Sequence, residues 1–543
     1  MQGLMQDVPL SLDMIFSRAE QLWPDKRLLT ATASGVERTT FGAWAERTRR
    51  LGGVLDELGI SADGRVGTFA WNSARHLELY FAAPCTGRVL HTLNIRLFAE
   101  QIVYVANHAE DEAIFVDRSL LPLLWPLIDD CKTVSHVVVM DDSMGRADAP
   151  ALPEDRRIVD YEELLSRARP HPFGVVTDEN QAASMCYTSG TTGDPKGVVY
   201  SHRSMVLHSF SVLLADLLGV KESDVVLPLV PMFHANAWGL CQAAVMGGCD
   251  VVFPGSDLSP EAISRLIIEE GVTVGAGVPT IWMGAKPYLV GRPHRLRTII
   301  CGGSAVPRAL SEAYRQEIGL PILQAWGMTE TSPVATVGMI RSGRAATAND
   351  DELADLRAMQ GIPAPLVELR IADPDSGQRL PWDGETSGEV QVRGPWIAKR
   401  YYNDPRGDSQ FTEDGWLRTG DVGVVSPDGY LKLVDRTKDL IKSGGEWISS
   451  VELENELMGH PAVAEAAVIA VPSDRWMERP MACVVLKPGQ ETGAEELRSW
   501  LQGRVAKWWV PEEIEFIDEV PKTSVGKFSK KDLRNRFADR RVP

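Results

Sequence analysis

The sequence predicts an α/β fold: a large N-terminal part of α/β layers with parallel-rich sheets and a small β region, then a small α+β part at the C-terminal end. Three observations lead there. Short apolar runs alternate with helix-period segments from about residue 10 to 170, and the same rhythm resumes between 225 and 301. After about residue 361 the texture changes to short strands separated by turn residues. At 543 residues the chain exceeds one ordinary core, and an apolar content of 44% gives ample material to bury, so two or more domains are expected.

Taken in order, a helical pattern covers 41–58 and apolar strand runs cover 65–71, 113–117 and 134–140. Strands follow at 225–230, 251–253, 272–277 and 298–301, with a helix over 259–270. Strands separated by helices pair in parallel, because a parallel connection needs a crossover. The β region shows at 388–393 and 428–434, where Gly and Asp-Gly mark turns. The last hundred or so residues hold a helix at 451–458, strands at 464–471 and 481–486, a helix at 494–507 and a basic tail. Expected boundaries are therefore 1–434, a linker at 435–440 and a second, smaller domain at 441–543. Residues 341–352, small and polar, read as a mobile loop, and no internal repeat or low-complexity tract is seen.

Composition narrows the function. Asp and Glu number 74 against 56 Lys and Arg, and a net charge of -18 opposes nucleic-acid partners and anionic membranes. A polyphosphate ligand must then find local positive groups. The cysteines at 85, 131, 186, 241, 249, 301 and 483 form no Cys-x-x-Cys pair and fall mostly in apolar runs, which fits reduced thiols in a cytoplasmic setting. No signal peptide and no integral membrane segment are expected, since the first 16 residues carry Asp7 and Asp13 and no run approaches about 18 apolar residues. The ten histidines lack metal-ligand spacing, and His202 and His208 read as structural.

The most informative segment is Tyr187-Thr188-Ser189-Gly190-Thr191-Thr192-Gly193-Asp194-Pro195-Lys196-Gly197-Val198. Its glycines let backbone N–H groups turn toward an anion, Thr188, Ser189, Thr191 and Thr192 add donors, and Lys196 adds charge. It differs from a Walker A loop, in which Gly-Lys is followed at once by Ser or Thr. Met-Cys-Tyr before it and Val-Val-Tyr after it read as strands, which argues against a flexible linker.

Further segments accompany it: Pro231-Met-Phe-His-Ala-Asn-Ala-Trp238, Gly302-Gly-Ser-Ala-Val-Pro307, Gln324-Ala-Trp-Gly-Met-Thr-Glu-Thr331, Trp416-Leu-Arg-Thr-Gly-Asp421, Asp435-Arg-Thr-Lys-Asp-Leu-Ile-Lys-Ser-Gly-Gly-Glu446 and Pro521-Lys-Thr-Ser-Val-Gly-Lys527. Together they resemble the AMP-forming adenylating enzymes over nearly the whole chain, and within them the bacterial medium- and long-chain fatty acyl-CoA synthetases. The resemblance implies a two-step reaction: a carboxylate attacks the α-phosphate of ATP to give acyl-AMP and pyrophosphate, then coenzyme A displaces AMP. A carboxylate is a weak nucleophile toward phosphorus, so charge neutralisation at phosphate is what such a protein must supply.

The resemblance also implies roles. Glu330 and Thr188 would hold Mg²⁺, a pairing of hard oxygens suited to that ion, and Thr329 would contact the α-phosphate. Ser189, Gly190, Thr191, Thr192 and Lys196 would cradle the phosphates. Adenine would lie against Gly303, Ser304 and the stretch Gln324, Ala325, Trp326 and Gly327, with the ribose on Asp421 and Arg436. His234, Ala235, Trp238 and Gly302 would form the acyl side, with the segment 277–281 lining the same pocket. Lys527 would bridge carboxylate and α-phosphate during adenylation, Lys438 would be the hinge, and Lys442, Ser443, Gly444, Gly445 and Trp447 would face the thioester step after rotation of the small domain. By composition alone Lys527 would belong to a solvated run with Lys522, Lys530 and Lys531.

Amino-acid-activating relatives carry an aspartate just after the phenylalanine where this chain has Phe233-His234, which disfavours a free amino acid as substrate. No carrier-domain motif follows, so a free-standing ligase with coenzyme A as acceptor is expected, and the resemblance further implies a homodimer. The same motifs leave open a short or functionalised acid such as 3-methylmercaptopropionate or an aryl acid, a luciferase-like oxygenase, or a non-catalytic ligand sensor.

Overall fold

Two large parallel-rich sheets dominate the computed structural model, which describes residues 1–142, 149–188, 194–374, 376–443, 446–522 and 528–542. In the nine-stranded sheet, Ile322–Gly327, Thr298–Cys301, Val274–Gly277, Val225–Pro228, Asp250–Phe253 and Arg27–Thr32 run parallel in that spatial order, flanked by antiparallel edge strands. The seven-stranded sheet is likewise parallel up to Ala182–Tyr187, which pairs antiparallel with the edge strand Gly197–Ser201. These strands read as continuous apolar runs because helices cover both faces; Thr298–Cys301, for example, is buried from Ile299 onward.

Helices start where side-chain caps satisfy the free N–H groups of the first turn. Ser259 Oγ accepts from Ala262 N ahead of Pro260–Glu269, and Thr40 does the same ahead of Phe41–Glu57. The latter helix buries Phe41 and Trp44, and Phe16, Trp44 and Phe81 form an aromatic cluster with ring centroids 5.2 to 6.1 Å apart. A contiguous core runs from there through both large sheets to Val390 and Leu431 of a four-stranded antiparallel sheet. That sheet comprises Glu368–Ala372, Gly388–Arg393, Leu417–Val425 and Leu431–Arg436.

The last sheet contains Glu446–Ile448, Ile441–Ser443, Met477–Leu486 and Val463–Ser473, with Glu513–Phe516 added in parallel. It carries its own apolar clusters, one around Ile441, Leu453 and Val468 and another around Ile469, Met481 and Leu533.

Two expectations fail. Residues 341–352 are not a loop: they fold into helices Ser342–Thr347 and Asp350–Ala358. Asn349 and Glu352 cap the second reciprocally, at 3.0 and 2.9 Å, and this capping box was readable in the sequence. The helix expected over 494–507 ends at Leu501, because Gln502 is extended and Gly503 turns left-handed at φ 78°.

His202 and His208 are buried structural groups, as expected. His202 Nδ1 accepts from Leu12 N at 3.2 Å, and His208 Nε2 accepts from Val334 N at 3.3 Å. Burial lowers His76, His202 and His208 to about 4. The unfolded chain takes up a proton on each ring below about pH 6.5, whereas the fold keeps them neutral, so stability is complete above that pH and falls as pH falls toward 4. Each ring accounts for about 3 kcal/mol of that fall, at ~1.36 kcal/mol per pH unit. Urea unfolding at pH 6.5 and pH 4 should therefore show a loss about 3 kcal/mol smaller in His208→Gln than in wild type; equal losses would contradict the assignment.

Candidate active site

The carboxyl ends of the parallel strands converge, as ligand sites in open α/β sheets do. Strand Thr298–Cys301 delivers Gly302 and Gly303, strand Ile322–Gly327 delivers Thr329 and Glu330, and the segment after Val225–Pro228 delivers His234 and Trp238. From the other large sheet, Ala182–Tyr187 delivers Thr188, while the small antiparallel sheet places Asp421 directly opposite Arg436.

These groups enclose a cavity of about 280 Å³ whose walls include Thr188, Lys196, His234, Trp238, Gly302, Thr329, Glu330, Arg436 and Lys438. A second cavity of about 290 Å³ adjoins it, lined by Ser304, Gln324, Asp421 and Phe528 among others. Gly303, Ala325, Trp326, Gly327, Arg436 and Lys438 face both.

The polar side is held by hydrogen bonds. Thr188 N donates to Lys196 O at 3.0 Å and Lys196 N donates to Thr188 Oγ1 at 3.1 Å, closing the neck of the Gly/Thr loop. Lys196 Nζ lies 4.6 Å from the centre of the Tyr401 ring and 3.5 Å from Gln410 Oε1. The Tyr401 hydroxyl donates to Glu330 Oε1 at 2.5 Å and also lies against Gln410. Burial, then Glu330, pushes the Tyr401 phenol well up, so it remains a donor. Tyr200 OH donates to Thr329 O at 2.8 Å and Ala398 N to Glu330 O at 2.8 Å, which fixes the backbone of the Thr-Glu turn. Thr188 and Glu330 thus bring hard oxygens to one cavity, a donor set that fits Mg²⁺.

Deeper in, Trp326 Nε1 donates to Asp421 Oδ2 at 2.9 Å, and Arg436 Nε lies 3.2 Å from Asp421 Oδ1. Asp421 raises the Arg436 pKa, while burial and then Arg436 lower that of Lys438. At the linker, Asp435 accepts from Ser450 N at 2.7 Å, and Arg534 Nη1 pairs with Asp439 at 2.6 Å.

The apolar side rests on an unusual backbone. Ala235, Asn236, Ala237 and Trp238 have φ of 42°, 51°, 51° and 58°, and Gly239 follows at 67°. Each non-glycine residue in that conformation costs about 1–2 kcal/mol. At Gly302 a Cβ would sit 2.5 Å from Ala325 O and 3.3 Å from Trp238 Cη2, so the indole and the next strand leave no room for a side chain.

The structure separates some residues grouped in the sequence. Ala235 is buried behind the wall and lines neither cavity, and Pro279 and Thr280 line the second cavity, not the pocket of His234. Lys442 and Ser443 face neither cavity; Ser443 is buried and accepts from Arg479 Nη1 at 3.2 Å. Ser189, Gly190, Thr191, Thr192, Gly444, Gly445 and Lys527 lie outside the described residues, as does the side chain of Trp447. Tyr401, Gln410 and Asp194 line the first cavity and were not expected. Tyr401 and Gln410 lie far in sequence from the Gly/Thr loop and the Thr-Glu turn and leave no local signal, whereas Asp194 sits within the Gly/Thr segment itself.

Comparison with known proteins gives two family matches: the AMP-binding enzyme family over residues 16–402 and the AMP-binding enzyme C-terminal domain over residues 452–527. The chain is 46% identical to a long-chain-fatty-acid–CoA ligase of Thermus thermophilus, over 98% of this chain and 96% of that one. It is 42% identical to a 3-methylmercaptopropionyl-CoA ligase of Ruegeria lacuscaerulensis, over 99% of each. Among solved structures it resembles an anthranilate CoA ligase in complex with anthranoyl-AMP, with a TM-score of 0.85 and 26% identity over 98% of this chain and 99% of that one. No helix among the described residues is long and apolar enough to cross a membrane. The chain belongs to the AMP-binding enzyme family and is one of its AMP-forming acyl-CoA ligases.

Proposed function

We propose that this ligase activates an apolar carboxylic acid, best a medium- or long-chain fatty acid, forming acyl-AMP and pyrophosphate from ATP and then the coenzyme A thioester. The observation that carries the substrate class is the acyl wall. His234, Trp238, Gly302, Pro333 and Val334 give the cavity a largely apolar stretch of wall, and its described acidic and guanidinium groups, Asp194, Glu330 and Arg436, lie outside that stretch. Of the cations on this cavity, Lys196 is left to the phosphates, Arg436 stands beside Asp421 at the ribose and Lys438 lies at the hinge.

In this reading Thr188, Ser189, Gly190, Thr191, Thr192 and Lys196 hold the β- and γ-phosphates, and Thr329 holds the α-phosphate. Thr188 and Glu330 hold Mg²⁺, which neutralises phosphate charge when bound. Gly303, Ser304 and Gln324 to Gly327 receive adenine. Asp421, buried and already anchored by Trp326, keeps a carboxylate edge for the ribose diol, beside Arg436. His234 steers the acid's carboxylate, and Lys527 bridges it to the α-phosphate as charge grows in the transition state. Phe528, the next residue, lines the cavity that shares Trp326 and Gly327, which supports an arrangement suited to adenylation.

Division into 1–434 and 441–543 around the linker 435–440 then lets the small domain turn about Lys438 and bring Lys442, Ser443, Gly444, Gly445 and Trp447 to the thioester step. We place the enzyme in the cytoplasm, as seven buried free thiols suggest, and as a homodimer.

A second reading is a short functionalised acid. The ring of Trp238 packs against Gly302 and shortens the wall, and a relative with 42% identity is named for 3-methylmercaptopropionate.

AMP release with Mg-ATP and coenzyme A, measured from acetate to palmitate with 3-methylmercaptopropionate and benzoate, should peak at medium or long chains. A peak restricted to the short or aromatic acids would transfer the enzyme to the second reading. Lys527→Ala should lose acid-dependent pyrophosphate release by at least ~100-fold yet convert supplied acyl-AMP to thioester at near wild-type rate, because that charge acts in the first half-reaction; equal loss in both halves contradicts the role. Tyr401→Phe, which frees Glu330 of one hydrogen bond worth ~1 kcal/mol, should shift the Mg²⁺ concentration for half-maximal rate about five-fold. An unchanged Mg²⁺ dependence would remove Glu330 from the metal site.

A further inference from the structure

We propose that Asn236 is a positioning residue that sets acid selectivity, by clamping the left-handed turn of residues 235–238 onto strand Ala182–Tyr187. The proposal builds on the reading of His234 and Trp238 as the acyl wall.

Asn236 faces neither cavity and is buried to 4% exposure, so its amide has no direct business with substrate. It is engaged at both ends. Nδ2 donates to Ser184 Oγ at 3.1 Å, and that hydroxyl in turn donates to Leu90 O at 3.1 Å. The Cys186 thiol donates to Asn236 Oδ1 at 3.5 Å and lies 3.2 Å from Thr92 Oγ1. One side chain thus pins the turn to strand Ala182–Tyr187, whose Ser184 hydroxyl and Cys186 thiol in turn reach the neighbouring parallel strand Val89–Thr92.

The turn requires such a pin. Left-handed backbone persists in non-glycine residues when the surroundings over-determine it, and strain of this kind concentrates at functional sites. Asparagine enters the left-handed region more readily than most, but Ala235, Ala237 and Trp238 do not, and all three are there. The far end is fixed by Gly239, where a Cβ would sit 2.5 Å from His208 Nδ1. The strained segment lies between His234 and Trp238, both on the cavity wall. Relaxation of the turn would therefore move the acyl wall and leave Lys196, Glu330 and Asp421, which stand on other elements, in place.

The test uses Asn236→Gly, which keeps freedom for positive φ while removing the clamp, and Ser184→Ala, which removes a partner and leaves Asn236 intact. Both should raise KM for the preferred acid at least ten-fold and flatten the chain-length profile, with KM for ATP within two-fold of wild type. A merely structural role would lower the melting temperature and leave the ratio of the two KM values unchanged, and that result overturns the proposal. So does a wild-type acid profile in Ser184→Ala, which decides alone if Asn236→Gly does not fold. Failure of wild type to release AMP with any acid would instead overturn the reaction on which the proposal is built.

Discussion

The Asp421 carboxylate is the joint on which the site depends. One oxygen accepts from Trp326 at the end of the nine-stranded sheet, and the other faces Arg436, at the end of the adjacent antiparallel strand where the linker begins. A buried carboxylate is tolerable when it is paired, so the same two contacts that make Asp421 affordable also lock three elements together. Trp326 and Arg436 then face both cavities, Trp326 near the end of the strand that leads to Thr329 and Glu330.

Around that joint, charge is handled locally. A chain with net charge -18 repels polyphosphate at a distance, yet Lys196, Arg436 and Lys438 meet at one cavity. Lys196 lies over the Tyr401 ring and Arg436 pairs with Asp421, while burial and then the like charge of Arg436 lower the pKa of Lys438. Glu330 is similarly aimed by Tyr401. The polar side is rigid through hydrogen bonds, whereas the apolar side is rigid through backbone strain at residues 235–238.

Legibility in the sequence followed the range of the interactions. Parallel strands such as Thr298–Cys301 were readable because apolar runs and helix periods are local patterns, and Ser259 announced its helix by side-chain chemistry. The contiguous motifs carried Thr188, Glu330, Asp421 and Arg436 to a shared region, and the structure gathers these four around the two cavities. Tyr401 and Gln410 were missed because their contacts with Glu330 and Lys196 span long stretches of chain without a spacing rule. The left-handed turn was hidden for a different reason: Ala-Asn-Ala-Trp has no composition that marks positive φ, and tertiary contacts impose it. The error at 341–352 was avoidable, since Asn349 and Glu352 form a capping box that composition alone obscured.

The most direct test is exchange of labelled pyrophosphate into ATP, driven by the preferred acid without coenzyme A, in wild type and Asp421→Ala. Wild type should exchange, because acyl-AMP forms reversibly before the thiol is needed, and the variant should fall by about 100-fold, or ~2.7 kcal/mol of transition-state binding, while remaining folded. Equal exchange in both would show that Asp421 does not organise the nucleotide site, and no exchange in wild type would contradict an adenylate intermediate.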